Sequence, residues 1–259
     1  MTSTALVTGA SGGIGMELAR IHAEKGGNLV LVARSQDKLE QLKEELEDSY
    51  GVSVIVHVED LSQPDAAQKI FEATEAQGLV IDTLINNAGF GGHGRFHERE
   101  LAKEQGMIQV NITTLTNLTH LYLQGMVARR QGRILNVSST ASFLPGPLQA
   151  VYFATKAYVT SFTQAVAEEV RPHNVTLTAL CPGAVLTGFI EAADLEGLAV
   201  WKTAKSARSV AECGYSEMEK GTLVAFNQGS LKFALNWLVP AMPRKSLLKL
   251  VRSGMEKKH

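Results

Sequence analysis

The chain alternates short apolar runs with longer segments in which apolar residues recur every three or four positions among charged ones. The short runs are rich in Val, Ile and Leu and are apolar almost throughout, which is typical of parallel strands covered by helices on both faces. They predict seven strands, at Ala5–Thr8, Leu29–Ala33, Val52–Val58, Thr83–Asn86, Gly132–Ser138, Val175–Cys181 and Thr222–Phe226. Because strand–helix–strand crossovers are right-handed, this alternation predicts a single α/β domain over residues 1–259, built on a doubly wound parallel sheet.

The intervening segments predict helices of different character. Ser35–Tyr50 places leucines at three- and four-residue spacing among Lys and Glu, and this indicates an amphipathic surface helix. Ala150–Val170 contains neither Gly nor Pro and ends before Pro172, so it predicts one long helix. The periodicity weakens over residues 186–211, which we interpret as a mobile substrate lid.

The C-terminal tail, residues 228–259, predicts two short helices, Ser230–Leu238 and Arg244–Arg252, separated by Pro240 and Pro243. Its apolar and basic residues alternate. Packing against the domain or another subunit is the favoured interpretation, and association with a membrane surface is the alternative.

Composition narrows the classes of partner. With 25 basic and 26 acidic residues the net charge is -1, so nucleic acid is not expected and a small-molecule ligand fits better. The N-terminus shows no secretory signal pattern, and no apolar run reaches the roughly 18 residues of a spanning helix, so we expect a cytoplasmic protein. His93 and His97 lie among glycines with no third ligand evident, and no metal site is expected.

A glycine-rich turn follows the first predicted strand. The segment Thr8-Gly9-Ala10-Ser11-Gly12-Gly13-Ile14-Gly15 leads directly into a helical stretch, so its glycines lie at a strand-to-helix junction. Glycine permits close backbone approach there, and the N–H groups and dipole of the helix start attract a pyrophosphate. The turn therefore predicts a dinucleotide site.

The residue after the second strand predicts which dinucleotide the site binds, NAD or NADP. A site that selects NAD places Asp or Glu there to bind the ribose 2′-hydroxyl, whereas this chain has Ala33-Arg34-Ser35. A guanidinium binds phosphate oxygens in a bidentate manner, so Arg34 favours NADP over NAD.

Tyr152 and Lys156 lie four residues apart in the long predicted helix and therefore share one face. A phenol has a pKa of about 10, too high for efficient proton transfer near neutral pH. An ammonium about 4 Å away interacts with a phenolate by roughly 4 kcal/mol at an effective dielectric near 20, so we expect Lys156 to bring the Tyr152 pKa toward the working pH. Ser139, at the carboxyl end of the fifth strand, could bind a substrate carbonyl.

These motifs, in this order, resemble the short-chain dehydrogenase/reductase family over about residues 4–190. The glycine turn is similar to the family's cofactor turn, and Asp60-Leu61 to its adenine-contacting pair. Asn86-Asn87-Ala88-Gly89 resembles its strand-four motif, and Pro182-Gly183 with Thr187 resembles its nicotinamide-side segment. Asn111, Ser139, Tyr152 and Lys156 match its catalytic tetrad, with no position substituted.

The resemblance implies a Rossmann-type fold, a homodimer or homotetramer built on the helices near 104–130 and 150–170, and a role for each tetrad residue. Tyr152 would exchange the proton and Ser139 would polarise the carbonyl. Lys156 would bind the nicotinamide ribose, and Asn111 would hold a water that extends the relay. The cofactor-binding set comprises Gly9, Ser11, Gly12, Gly13, Ile14, Gly15, Arg34, Asp60, Leu61, Asn87, Ala88, Gly89, Tyr152, Lys156, Pro182, Gly183 and Thr187.

The expected reaction is NADP(H)-dependent hydride transfer between nicotinamide and a carbonyl or secondary alcohol. The substrate region has many apolar side chains, which favours a ketone, 3-oxoacyl, steroid-like or aldehyde substrate. They are Phe90, Phe96, Phe143, Leu144, Leu186, Phe189, Ile190, Leu195, Leu198 and Trp201. The alternative is a sensor or scaffold protein that binds NADP without turnover. A serine hydrolase centred on Ser139 is disfavoured because no G-x-S-x-G motif surrounds it.

Overall fold

A seven-stranded parallel sheet organises the fold, in a computed structural model that describes residues 2–198, 201 and 203–256. The bounds of its strands are β1 Thr4–Thr8, β2 Asn28–Ala33, β3 Val54–Val58, β4 Thr83–Asn86, β5 Gly132–Val137, β6 Val175–Leu180 and β9 Val224–Ala225. In the sheet they follow the order β3-β2-β1-β4-β5-β6-β9. The doubly wound α/β fold is therefore confirmed, and the first six strands begin and end within two residues of the predicted positions.

Helices cover both faces of the sheet. They are α1 Gly13–Glu24, α2 Gln36–Tyr50, α3 Ala66–Ala76, α4 Leu101–Ile108, α5 Leu115–Ala128, α6 Ala150–Val170, α7 Phe189–Ala192, α8 Ala207–Glu219, α9 Gly229–Phe233, α10 Val239–Ala241 and α11 Arg244–Met255. A π-helical segment, Gln109–Thr114, joins α4 to α5, and another, Ala234–Leu238, joins α9 to α10.

Two apolar clusters hold these layers together. One contains buried side chains of α1, α2 and α8 against the sheet, and the other contains side chains of α3, α5 and α6 on the opposite face. Leu39, Leu42 and Leu46 of α2 are all buried, as their spacing predicts. The order of the strands reverses direction between β1 and β4, which is where open α/β sheets bind ligands.

The predicted lid ends earlier than its sequence suggests. Residues 207–211 belong to α8, and Val210 and Ala211 are fully buried. Charged and small residues around them mask a helical repeat that continues to Tyr215 and Met218. The rest of the insertion begins with β7 Val185–Leu186, which pairs with β8 Lys205–Ser206, while residues 199, 200 and 202 lie outside the described chain.

The tail is helical, but the interruption between its helices lies at Met242 and Pro243 and does not include Pro240. Pro240 lies inside α10, near the beginning of that helix, where its missing N–H costs little. The chain becomes extended at Met242, before Pro243. Within the part of the chain that the structure describes, no helix is both long and apolar enough to cross a membrane.

Candidate active site

A cleft of about 580 Å³ opens at the carboxyl ends of the strands, where β1 and β4 diverge. The glycine turn after β1 and the loop after β4 line one part of it, and the end of β5 and the start of α6 line another. The lining contains a large share of the predicted residues: Gly9, Ser11, Gly12, Gly13, Ile14, Arg34, Asn87, Ala88, Gly89, Ser139, Tyr152, Lys156, Pro182, Gly183 and Thr187. Gly15, Asp60, Leu61 and Asn111 are not among the lining residues.

The glycine turn is held open by its neighbours. Gly9 and Gly13 have φ angles of 67° and 57°, which favour glycine, and a Cβ on Gly15 would lie 2.4 Å from the Gly9 carbonyl oxygen. The Asn87 side chain donates to the Thr8 carbonyl at 3.0 Å. Gly15 therefore supports the turn by letting the Gly9 backbone approach closely, although Gly15 does not itself line the cleft. Since the first N–H groups of a helix have no intrahelical acceptor, the start of α1 suits an anionic phosphate.

Cations occupy the end of the cleft near β2. Arg34 follows β2, Lys38 lies one helical turn later at the start of α2, and both are exposed and line the cleft. Sequence analysis missed Lys38, although its four-residue offset from Arg34 was a usable signal. No Asp or Glu belongs to the described lining. This end of the site therefore suits an additional phosphate.

Asp60 follows β3 and its carboxylate caps the turn there. It accepts hydrogen bonds from the Ser62 N–H at 3.0 Å and from the Ser62 hydroxyl at 2.9 Å. The Ser62 N–H does most to lower the Asp60 pKa, and the charge of Arg34 adds to it. Leu61 is buried, and its carbonyl accepts a hydrogen bond from Thr114. Contact of this pair with adenine stays a prediction.

Buried polar contacts fasten α6 to the sheet below the cleft. The Ser138 hydroxyl donates to the Lys156 carbonyl at 2.9 Å and lies 2.7 Å from the Thr160 hydroxyl. Deeper in the sheet, the Asn136 amide donates to Thr163 of α6 at 2.9 Å. These contacts set the position of α6 along β5, so Tyr152 and Lys156 face Ser139.

Ser139, Tyr152 and Lys156 meet in the cleft wall. The Lys156 ammonium lies 5.9 Å from the centre of the Tyr152 ring and donates to the Val137 carbonyl at 2.8 Å. The Ser139 hydroxyl accepts from the Ala141 N–H at 3.1 Å. The Tyr152 ring also lies 5.4 Å from that of Phe189, on the insertion after β6. A phenol, a hydroxyl and an ammonium thus converge where a carbonyl could bind.

Desolvation dominates the electrostatics of this group. Burial raises the pKa of Tyr152 to about 12, opposed by the hydrogen bond with Ser139. Burial also lowers the pKa of Lys156 to about 8. The expectation that Lys156 lowers the Tyr152 pKa is therefore wrong for the protein without ligands, because both groups lose solvation and the ammonium is directed at a backbone carbonyl.

Asn111 lies in the π-helical segment behind the cleft. Its amide donates to the Phe90 carbonyl at 3.0 Å and to the Thr155 hydroxyl at 3.1 Å, and its carbonyl accepts from the Phe90 N–H at 3.1 Å. A Cβ on Gly89 would lie 3.0 Å from the Asn111 carbonyl oxygen and 3.4 Å from the Lys156 nitrogen. Asn111 therefore joins the loop after β4 to α6, and its predicted role in a water relay stays a prediction.

The other end of the cleft is apolar. Of the predicted substrate residues, Phe90, Leu144, Phe189, Leu195, Leu198 and Trp201 line it. Phe96 and Leu186 are instead exposed, and Phe143 packs against Phe226.

Gln149 and Met255 also line this wall, and sequence analysis missed both. The Met255 carbonyl lies 2.7 Å from the His93 ring nitrogen, and the Gln149 amide lies 3.2 Å from the Met255 sulfur. The end of the C-terminal helix thus completes the cleft wall. No local signal in the sequence relates Met255 to residues more than 100 positions earlier.

Comparisons with known proteins agree with this geometry. Residues 3–196 match the sequence model of the short chain dehydrogenase family. Very-long-chain 3-oxoacyl-CoA reductase of Laccaria bicolor is 35% identical over 175 residues, which are 67% of this chain and 52% of that protein. The 7beta-hydroxysteroid dehydrogenase of Mediterraneibacter gnavus is 30% identical over 235 residues, covering 90% and 89% of the two chains.

A solved structure shows the same architecture. The short-chain dehydrogenase from Sphingobium yanoikuyae in complex with NADPH superposes with a TM-score of 0.83 at 28% identity, covering 93% of this chain and 97% of the other. By contrast, the chain spans only about half the length of the fungal reductase that it matches.

Proposed function

The chain belongs to the short-chain dehydrogenase/reductase family, and on that premise we propose that it is an NADP(H)-dependent oxidoreductase acting on an apolar carbonyl or secondary alcohol. One observation carries the proposal: Ser139, Tyr152 and Lys156 line the same cleft as the glycine turn. Proton-transfer groups and a phosphate-binding turn would then act on one bound pair of cofactor and substrate.

The cleft residues fit a dinucleotide. Gly9, Gly13 and Gly15 leave room for close backbone approach, and the start of α1 offers N–H donors to a pyrophosphate. When bound, nicotinamide supplies or accepts the hydride, which is chemistry that no side chain of the chain provides.

The protein's own residues would polarise the substrate carbonyl and transfer the proton. In the reducing direction the Ser139 hydroxyl would donate a hydrogen bond to the carbonyl oxygen, and the Tyr152 hydroxyl would transfer its proton to that oxygen as hydride reaches the carbon. The alcohol product then carries the hydride on its carbon and the Tyr152 proton on its oxygen, and Tyr152 is left as a phenolate. Lys156, protonated below its pKa of about 8, would stabilise that phenolate until solvent reprotonates it.

The choice of NADP rests on charge. Arg34 and Lys38 form a cationic end of the cleft without a carboxylate among its described lining, and a 2′-phosphate is the part of NADP that NAD lacks. The NADPH complex of the Sphingobium relative supports this choice.

The apolar wall supports the substrate class. Leu144, Phe189 and Leu198 line the same cleft as Tyr152, and the Phe189 ring lies 5.4 Å from the Tyr152 ring. A charged substrate would lose hydration against such apolar side chains. Two relatives, a very-long-chain 3-oxoacyl-CoA reductase and a 7beta-hydroxysteroid dehydrogenase, are named for a carbonyl compound and a secondary alcohol that each have a large apolar part. We therefore include long-chain 3-oxoacyl thioesters and steroid-like ketones in the substrate class.

A panel of ketones and aldehydes, assayed by loss of NADPH absorbance, tests the proposal. Long-chain 3-oxoacyl thioesters and fused-ring ketones should be reduced with higher kcat/KM than small polar or anionic carbonyls. Turnover restricted to the polar compounds would contradict the substrate class. NADPH binding without turnover on any member would favour the sensor or scaffold alternative.

A further inference from the structure

The C-terminal tail, residues 228–259, differs in charge from the rest of the chain. It contains seven of the 25 basic residues and one of the 26 acidic residues, so a tail of net charge +6 adjoins a body of net charge -7. No Asp or Glu occurs between Glu219 and Glu256. The described cleft lining contains none of these basic residues, because its Lys and Arg side chains are Arg34 after β2, Lys38 of α2 and Lys156 of α6.

The same tail exposes large apolar side chains. Trp237 is 72% exposed, and four other large apolar residues of the tail are also exposed: Phe233, Leu238, Leu248 and Leu250. In the amphipathic helix α2, by comparison, every leucine is buried. Single exposed apolar residues are ordinary on a protein surface, but five in one 18-residue stretch together with cations indicate an interaction surface.

The tail is attached at a few points that leave this surface open. Leu235 and Leu247 are buried, and the Met255 carbonyl lies 2.7 Å from the His93 ring nitrogen at the cleft. At 100° per residue, Lys245 and Lys249 lie on the side of α11 opposite Leu247, where they face away from the body. Both side chains are exposed.

We propose that the tail docks on the surface of an anionic lipid bilayer. Phe233 and Trp237 lie four residues apart and suit the boundary between headgroups and acyl chains, where tryptophan is enriched. Lys245, Lys249 and Arg252 suit the negatively charged headgroups, whereas the net negative body would be repelled by them. This charge separation gives the contact an orientation, with the tail toward the lipid.

Docking would bring the cleft to the lipid surface. Met255 of α11 lines the apolar wall of the cleft, and the exposed residues of the same helix belong to the docking surface. An apolar substrate dissolved in a bilayer would then reach the cleft without crossing much water. The docking itself requires no catalysis and is independent of the proposed reaction.

Co-sedimentation of the full chain with vesicles tests the docking. We expect binding to vesicles of equal parts phosphatidylglycerol and phosphatidylcholine, weakening as salt is added, and much weaker binding to phosphatidylcholine alone. The double substitution Lys245→Gln/Lys249→Gln should weaken the anionic binding by about thirtyfold, since each cation contributes roughly a fivefold step and the two steps multiply. Phe233→Ser/Trp237→Ser should also weaken it.

Matched variants outside the tail control for general surface effects. Lys69→Gln/Lys103→Gln removes two exposed charges from α3 and α4, and Val80→Ser removes an exposed apolar side chain from the loop before β4. Both should bind vesicles like the wild type. Circular dichroism and NADPH binding would establish that every variant is folded.

Three outcomes would overturn the proposal. The wild type does not sediment with anionic vesicles, the tail variants bind as well as the wild type, or the control variants lose as much binding as the tail variants. Self-association that depends on Phe233 and Trp237 without vesicle binding would assign the surface to a second copy of the chain instead. None of these results depends on whether a substrate is turned over.

Discussion

At the scale of single residues, the cleft holds two ionisable groups whose neutral forms are favoured by their surroundings. Tyr152 has a pKa of about 12 and Lys156 a pKa of about 8, and in both cases the loss of solvation is the largest cause. Near neutral pH, Tyr152 is therefore a protonated acid and Lys156 is largely a cation beside it. This is the combination that reduction of a carbonyl requires.

The proposed mechanism predicts opposite pH profiles for the two directions. Reduction needs the proton on Tyr152 and the charge on Lys156, so its kcat/KM should hold near neutral pH and fall above about pH 8, where Lys156 loses its proton. Oxidation needs the phenolate, so its kcat/KM should rise between about pH 7 and 10 because the Tyr152 pKa lies above that range. Rate measurements in both directions check this, and an oxidation rate that falls over the same interval would contradict it.

Arg34 gives a prediction about the cofactor. Arg34→Ala removes a charged hydrogen-bond donor, a contact of roughly 1.5–3 kcal/mol, so kcat/KM for NADPH should drop by about tenfold to a hundredfold. The value for NADH should change little, because NADH lacks the 2′-phosphate. Steady-state kinetics with both cofactors measure the ratio. Equal losses of kcat/KM for NADPH and NADH would show that Arg34 does not bind the 2′-phosphate. Lys38→Ala would then test whether the neighbouring cation binds it.

At the scale of elements, the sequence predicts helices and strands well where one residue pattern runs uninterrupted. The bounds of α6 follow from its lack of Gly and Pro and from Pro172 just beyond it. The start of α8 was missed because its first turn, Ala207 to Val210, carries Arg and Ser among its apolar residues. Local pattern cannot distinguish such a turn from a loop until the packing partner, here α1, is known.

The glycine turn gives a prediction about stability at this scale. Gly15→Ala would put a methyl group against the Gly9 backbone, and overpacking of this kind costs roughly 1–3 kcal/mol. The Tm should fall by several degrees. Gly12→Ala is the matched control, because a Cβ there meets nothing within 4 Å, and its Tm should stay near that of the wild type. Thermal unfolding of both variants measures the difference. Equal Tm values for Gly15→Ala and Gly12→Ala would contradict the described turn.

At the scale of the whole molecule, the strand order places the site. The glycine turn, Ser139 and the loop after β4 lie far apart in sequence, but the order β1-β4-β5 brings the carboxyl ends of their strands together. The alternation of strands and helices predicts this edge as the site. The contribution of Met255 could not be predicted, because it depends on the path of the tail back across the molecule.

The family's expected dimer or tetramer gives a prediction about assembly. Leu101 of α4 is 63% exposed, and Ile108 and Tyr158 on α4 and α6 are also exposed. Covering such apolar positions is favourable, so we expect a homo-oligomer built on α4, α5 and α6. Leu101→Glu/Tyr158→Glu should reduce the mass measured by analytical ultracentrifugation, whereas Val80→Glu should not. A wild-type monomer would contradict this expectation.

The most direct measurement for the whole account compares Tyr152→Phe with the wild type on a reduced member of the ketone panel, with NADPH affinity measured in parallel. The substitution keeps the ring in the cleft and removes only the proton-bearing oxygen. We predict that kcat falls by about a hundredfold or more while NADPH binding stays close to that of the wild type. A Tyr152→Phe enzyme that reduces the ketone at the wild-type rate would contradict the central claim.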